Sequence, residues 1–252
     1  MNERTKNEGI IQTGGFITAK QISVGRNASS TINMVLRERN ESTFDESVHR
    51  PILVLFLAAN PKDTVQLRLS EEVRSIDERL RKSEFRNSFQ LEQHWAVRYT
   101  DLQEVLLRHR PNIVHFSGHG DNSGQLMLED LDGLTKPISV NALTGLFEIL
   151  KDDIRCVVLN ACFSKIQAEA IVSQINVVIG MSSSIPDDDA IKFVEGFYLG
   201  IGYGRSIKTS FDLGCNAITL AGLSGDAVPK LICKSSVDPS ELFILNHKSF
   251  DQ

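Results

Sequence analysis

Two short loops carry the residue types that could do chemistry in this sequence. His119 stands between Gly118 and Gly120, and Cys162 lies within the segment Asn160–Ser164. A cysteine becomes a nucleophile when a base or cation beside it favours the thiolate, and histidine can serve as that base. Acyl transfer also needs backbone N–H groups directed at the developing oxyanion. We therefore interpret His119 and Cys162 as a base–nucleophile pair, with the N–H groups of Gly120 and Cys162 as oxyanion donors.

Each loop also has a plain structural interpretation. A cysteine after an apolar strand is most often a packed core residue, and a Gly-His-Gly segment is often only a turn. A second histidine, His115, is expected to point into the core. The pairing of a histidine between glycines at one strand end with a cysteine between small or polar neighbours at another favours the catalytic interpretation.

The surrounding elements predict how the two loops meet. Buried strands are predicted at 52–60, 112–118, 154–160 and 176–181, with further strands at 94–99 and 230–233 and a hairpin over 124–139 that turns at Asp132-Gly133. Helices are predicted at 66–82, 101–110, 140–150, 165–175, 187–203 and 206–220. Strands that alternate with helices form a mostly parallel α/β sheet covered on both faces. Ligand sites lie at the carboxyl ends of such strands, so both loops should open on one edge.

Composition narrows the function classes. The formal net charge is −5, so no basic field attracts nucleic acid or an anionic membrane surface. The longest apolar run, Ile52–Ala59, is too short to span a bilayer, and the polar N-terminus lacks the apolar region of a signal peptide. None of the four cysteines has the spacing of a zinc site. We expect a cytoplasmic protein with free thiols and no structural metal site.

Residues 1–50 differ from the rest of the chain. They are rich in Gly, Ser, Thr and Asn with short alternating segments, followed by a charged linker that ends at Pro51. This composition predicts an N-terminal arm without a core of its own. Such an arm could dock a partner by adding to a sheet edge. Residues 236–252 are interpreted as a C-terminal tail.

Both catalytic loops resemble the motifs of a known family. VHFSGHG (114–120) and VVLNACFS (157–164) are similar to the His and Cys motifs of the CHAT domain, a bacterial branch of the caspase-like (clan CD) peptidases. The resemblance extends through ILVLFLAANP, the segment from Val178 to Gly214, and the closing strand VPKLICK. It implies a caspase-like three-layer α/β/α sandwich over residues 51–235.

The resemblance also implies an activity. A peptidase of this family would cleave a protein substrate with a His119/Cys162 dyad and Gly120 at the oxyanion, without a cofactor. Many members carry tetratricopeptide repeats, which this sequence lacks, so we expect a separate partner protein to activate it. Short bacterial members suggest a role in antiviral defence or cell death. The alternative is a non-catalytic module of the same fold that docks a partner through the N-terminal arm.

Charge near the expected cleft suggests a specificity. Asp121 follows the His loop directly, and Asp187, Asp188 and Asp189 follow the fifth buried strand. The simpler interpretation of the triplet is that it begins the next helix, since carboxylates are favoured at a helix N-terminus. The alternative is that these carboxylates line a pocket for Arg or Lys, because a buried cation needs a carboxylate to offset its desolvation. That alternative predicts cleavage after a basic residue.

Overall fold

The structure is a computed structural model that describes residues 50–245. In chain order its elements are β1 (Ile52–Ala58), α1 (Leu69–Arg81), β2 (Phe89–His94), α2 (Leu102–His109), β3 (Ile113–Ser117), β4 (His119–Gly120), β5 (Leu126–Glu129), β6 (Thr135–Ile138), α3 (Val140–Leu150), β7 (Cys156–Asn160), α4 (Lys165–Ile171), β8 (Val177–Met181), α5 (Asp187–Gly202), α6 (Ile207–Leu220) and β9 (Pro229–Cys233). A short 3-10 turn, Arg86–Ser88, precedes β2. No helix in the described range is long and apolar enough to cross a membrane.

The main sheet has six strands in the order β2-β1-β3-β7-β8-β9. The first five run parallel, and β9 closes the edge antiparallel to β8. A second, antiparallel sheet has the order β4-β5-β6. Its β5–β6 hairpin turns at Asp132-Gly133, as predicted. The mostly parallel sheet predicted from the alternation of strands and helices is confirmed.

Helices cover both faces of the main sheet. Successive residues of a strand point to opposite faces, and in β1 Val54 and Phe56 pack with α1, α5 and α6, whereas Leu55 and Leu57 pack with α2, α3 and α4. Each face therefore has its own apolar core, and strands buried on both sides read as continuous apolar runs. The three-layer α/β/α sandwich is confirmed.

Two segments differ from the prediction. The strand expected at 94–99 lies earlier, at 89–94, because Ala96 takes a left-handed backbone (φ 52°) that ends the extended chain. The packed chain also continues beyond residue 235, since Ile244 and Leu245 are buried and the Leu242 carbonyl accepts from the N–H of Ile207. The part of the predicted tail that the structure describes thus packs on the domain, while residues 1–49 and 246–252 lie outside the described residues.

Candidate active site

The two candidate catalytic residues follow neighbouring parallel strands. In the β3–β7 ladder the last directly opposed pair is Ser117 and Asn160. His119 and Cys162 each come two residues after that pair. Both are half-buried and line one cleft. The register of β3 and β7 therefore brings the histidine and the cysteine to the same place at the carboxyl edge of the sheet.

His119 is held by main-chain contacts on two sides. Together with Gly120 it forms β4, where it pairs antiparallel with Met127 of β5. Its ring Nε2 lies 2.8 Å from the carbonyl oxygen of Val65, in the loop between β1 and α1. A carbonyl can only accept, so Nε2 carries the hydrogen and Nδ1 keeps its lone pair. Nδ1 is consequently the ring atom that can exchange a proton in the cleft.

Cys162 lies in a tight turn after β7. Its Sγ is 3.4 Å from Oγ of Ser184, in the loop after β8. The next residue, Phe163, has a left-handed backbone (φ 57°), which costs a non-glycine residue about 1–2 kcal/mol. The N–H of Phe163 donates to the carbonyl of Ser183 at 3.3 Å. Strained turns of this kind are often found at functional sites.

The other three thiols lie in different surroundings. Burial raises the pKa of Cys156, which is fully enclosed in β7. Burial, helped by Asp212 and Asp226, raises the pKa of Cys215 to about 11, and burial also raises that of Cys233. A raised pKa keeps a thiol protonated and unreactive at neutral pH. Cys162 is thus the thiol whose position suits nucleophilic chemistry.

The floor of the cleft is polar and buried. Glu72 of α1 accepts hydrogen bonds there from Ser117 Oγ (2.6 Å) and Asn160 Nδ2 (2.8 Å). Because a carboxylate only accepts, this contact fixes the orientation of the Asn160 amide. Its other atom, Oδ1, is buried without a hydrogen-bond partner among the described residues. The floor therefore presents acceptor atoms.

The wall of the cleft is mostly apolar, with one ion-paired cluster. Arg68 and Asp187 line it together with apolar residues, namely Leu67, Leu69, Ile185, Ala190 and Ile191. The Arg68 guanidinium is paired with Glu71, Asp187 and Asp188. One cation thus meets three carboxylates, which leaves the cluster with an excess of negative charge.

Of the four acidic residues predicted to line a pocket, Asp187 reaches the cleft. Asp187, Asp188 and Asp189 form the first turn of α5, as the simpler interpretation had it, and Asp189 turns away to accept from the N–H of Gly225 at 2.8 Å. Asp121 folds back on its own loop, where it accepts from the N–H groups of Ser123 and Gln125. Burial acts to raise the pKa of Asp121, but hydrogen bonds from the Ser123 hydroxyl and from the N–H groups of Gln125 and Ser123 together outweigh it and lower that pKa.

Some residues of the site were not found from the sequence. Glu72, Asn160 and the Val65 carbonyl all border the candidate pair His119 and Cys162. Glu72 carried a usable signal, because it falls on the apolar stripe of α1 that contains Leu69 and Ile76. A charged residue on a buried helix face needs partners inside the protein. The role of a main-chain carbonyl such as that of Val65 cannot be predicted from residue types, since every residue has one.

Comparisons with known proteins identify a family and relatives for this chain. The family model of the CHAT domain matches residues 16–210. A "Probable protease" of Gillisia limnaea is 25% identical over 169 residues, which cover 66% of this chain and 30% of that protein. A "Roc-COR-CHAT protease" from an unknown prokaryotic organism is 23% identical over 168 residues, 64% of this chain and 16% of that protein. The chain thus spans less than a third of the length of these curated relatives.

Solved structures share the fold. A secreted C11 cysteine protease from Bacteroides thetaiotaomicron superposes with a TM-score of 0.54 at 12% identity, covering 73% of this chain and 66% of that one. Caspase-1 from Spodoptera frugiperda gives 0.52 at 12% identity, covering 73% and 86%. At such identity the likeness concerns the fold alone, which is that of caspase-like cysteine proteases. Because the family model matches more than half of the chain, the resemblance to the CHAT domain is confirmed and the chain belongs to that family.

Proposed function

We propose that this chain is a cysteine endopeptidase that uses His119 and Cys162 as its catalytic dyad. The observation that carries the proposal is the shared cleft, to which the register of β3 and β7 brings both side chains. The relatives named as proteases and the fold of cysteine proteases support the same class of activity.

The geometry suggests a division of roles. Sγ of Cys162, as the thiolate, would attack the carbonyl carbon of the scissile peptide bond. Nδ1 of His119, protonated in that state, would deliver its proton to the leaving amine, which breaks the C–N bond and leaves an acyl-enzyme. Nδ1 would then take a proton from the water that releases the acyl group. The N–H groups of Gly120 and Cys162 would stabilise the oxyanion of each tetrahedral intermediate.

Removing the nucleophile tests the activity. Cys162→Ala should lower peptide cleavage by several orders of magnitude while the far-UV circular dichroism stays unchanged, and His119→Ala should be nearly as damaging and non-additive with it. If Cys162→Ala keeps more than about a tenth of the activity, a barrier change under roughly 1.4 kcal/mol, the assignment is wrong. A folded wild type that cleaves no peptide even with the proteins encoded beside its gene would favour the interaction module instead.

The proposal extends to cleavage after a basic residue. The cleft offers an unpartnered acceptor atom at its floor, Asn160 Oδ1, and the carboxylate of Asp187 at its wall. The cluster around Arg68 adds an excess of negative charge. Apolar walls with acceptors at the far end suit the long stem and terminal N–H groups of Arg or Lys.

Matched peptides that differ only before the scissile bond test this specificity. Turnover should be faster after Arg than after Asp or Leu. Asp187→Asn should lower turnover of the Arg peptide about tenfold, roughly 1.4 kcal/mol, with little effect on the Leu peptide. Asp188→Asn is the control, because Asp188 pairs with Arg68 but does not line the cleft. Equal or faster cleavage after Asp would refute the specificity.

We also propose that a partner protein activates this peptidase, in the cytoplasm and within a bacterial defence or cell-death pathway. The resemblance to short bacterial CHAT proteins supports the pathway. Four free cysteines support a reducing compartment, and a net charge of −5 does not favour nucleic acid as the partner. Cleavage assays with and without the proteins encoded beside the gene test the regulation. Activity that is the same in both would contradict it.

A further inference from the structure

One buried carboxylate lies directly beneath the proposed catalytic cleft. Glu72 belongs to the apolar stripe of α1, between Leu69 and Ile76, and only 4% of its surface is exposed. A carboxylate at this depth loses its hydration and must be compensated by hydrogen bonds within the protein. Its partners therefore show what holds it there.

Two of those partners are the strand ends from which the catalytic loops begin. Oε2 of Glu72 accepts from Oγ of Ser117, the last residue of β3, at 2.6 Å. Oε1 accepts from Nδ2 of Asn160, the last residue of β7, at 2.8 Å. These are the two residues that face each other at the end of the ladder, two positions before His119 and Cys162. A single side chain thus bridges both strand ends.

The third partner connects this bridge to α5, which packs on the same face of the main sheet as α1. Nε2 of His115 lies 2.8 Å from Oε1 of Glu72, and Nδ1 of His115 lies 3.0 Å from the hydroxyl of Tyr198 in α5. The His115 ring also stacks on Phe56 with the ring centroids 5.3 Å apart. Burial raises the pKa of Tyr198 well above its usual value, so its hydroxyl remains a donor. Hydrogen bonds therefore run from α5 through β3 to α1.

From these contacts we propose that Glu72 is the positioning residue of the dyad. By holding Ser117 and Asn160, it fixes how the loops of His119 and Cys162 stand relative to each other. This inference rests on the proposed peptidase function. The placement matters because a misplacement of about 1 Å at a reacting group can cost about a hundredfold in rate. Glu72 does not react itself; it acts through the residues that it holds.

An isosteric change tests the role with little change of shape. In Glu72→Gln the amide oxygen can still accept hydrogen bonds, but the amide NH₂ replaces the second acceptor. We expect kcat to fall at least tenfold while KM stays within threefold, because the walls of the cleft remain. Ile76→Val is the matched control, since Ile76 is buried one turn along the same face of α1 and lies outside the cleft. It should change kcat less than twofold.

A second variant and a second readout guard against loss of folding. Ser117→Ala removes only the contact of Ser117 with Glu72 and leaves those of His115 and Asn160. It should therefore lower kcat less than Glu72→Gln, and the two losses should be non-additive. The rate at which iodoacetamide alkylates Cys162 at pH 7, followed by mass spectrometry, needs no substrate. We expect alkylation to slow about tenfold in Glu72→Gln and in His119→Ala.

The outcomes separate this inference from the proposed function. If the wild type cleaves peptides and folded Glu72→Gln keeps its kcat within twofold, the positioning role is overturned and the peptidase stands. If neither the wild type nor any variant cleaves a peptide, with or without the proteins encoded beside the gene, the proposed function fails, and the alkylation rates still decide the role of Glu72. Equal alkylation of Cys162 in wild type and Glu72→Gln would overturn it. If Glu72→Gln does not fold, Ser117→Ala takes its place with the same two readouts.

Discussion

At position 120 only glycine fits the contact between the loops that carry His119 and Cys162. A methyl group on Gly120 would overlap the carbonyl oxygen of Cys162, a main-chain atom that cannot move alone. Gly120→Ala should therefore push the loops apart and lower peptide turnover at least tenfold, about 1.4 kcal/mol in barrier. Gly145→Ala in α3 is the control, because a methyl group there meets nothing, and it should stabilise the helix by up to about 1 kcal/mol. Wild-type turnover in Gly120→Ala would contradict the loop contact.

The alkylation rates of the thiols should depend differently on pH. A pKa of about 11 leaves Cys215 only about a thousandth ionised at pH 8, and each further pH unit raises that fraction about tenfold. Carboxamidomethylation of Cys215 should therefore rise about tenfold per unit between pH 8 and 10. Near neutral pH, Cys162 should be labelled ahead of Cys215 and the enclosed Cys156. Peptide mapping after timed labelling measures this, and equal labelling of Cys162 and Cys215 at pH 7 would contradict it.

Residue types predict some parts of the site but not others. His119 and Cys162 could be predicted because each stands in a motif at a strand end. The Val65 carbonyl could not, since every residue has one and only the folded loop decides which carbonyl meets the His119 ring. The carboxylates were ambiguous for a related reason. The sequence does not distinguish the three consecutive aspartates of the first turn of α5. In the structure Asp187 lines the cleft, Asp188 pairs with Arg68 outside it, and Asp189 accepts from the N–H of Gly225.

Among the elements, the loop between β1 and α1 supports His119 from outside the motifs. Asn60 closes this loop, donating from Nδ2 to the Leu67 carbonyl at 3.1 Å and accepting at Oδ1 from the Leu67 N–H at 3.2 Å. Net contributions of about 0.5–1.5 kcal/mol per hydrogen bond would be lost in Asn60→Ala. The loop that presents the Val65 carbonyl would then loosen, and turnover should fall about three- to tenfold, within the range of those energies.

A side-chain change at the contact itself is the control for Asn60→Ala. Val65 is 80% exposed and meets His119 through its main chain, so Val65→Ala should leave turnover within twofold. Steady-state kinetics on one peptide compares the two variants. If Val65→Ala proves as damaging as Asn60→Ala, the side chain of Val65 and not the loop geometry would be responsible.

The elements themselves were predictable where burial is strong. β1, β3, β7 and β8 lie inside the sheet, and covered faces on both sides make them continuous apolar runs. β2 (Phe89–His94) is an edge strand whose residues have mixed polarity. Its residue pattern predicts a strand less strongly than does the alternation of Trp95, Val97 and Tyr99 that follows. The backbone of Ala96 breaks that second segment. Residue alternation cannot reveal a left-handed residue, so the strand was placed too late.

For the molecule as a whole, the described residues contain both apolar cores that cover the main sheet. The apolar clusters on both faces of the main sheet are built from residues between 52 and 245. The family model, however, matches from residue 16 and so includes part of the predicted arm. The Gly-, Ser- and Asn-rich composition of residues 1–45 predicts that they bury too little apolar surface to offset the ordering of the backbone, about 1–2 kcal/mol per residue.

We therefore expect a chain that begins at His49 to fold and melt cooperatively. Its melting temperature should stay within about 4 °C of the full chain, which corresponds to about 1 kcal/mol for a protein of this size. A chain that begins at Lys62 is the control: it lacks β1, which pairs with both β2 and β3, so it should not fold. Circular dichroism and thermal melts compare the three chains. If the His49 chain is insoluble or melts without cooperativity, the residues before 49 belong to the folded core. If it folds but no longer responds to an activating protein, those residues serve docking instead.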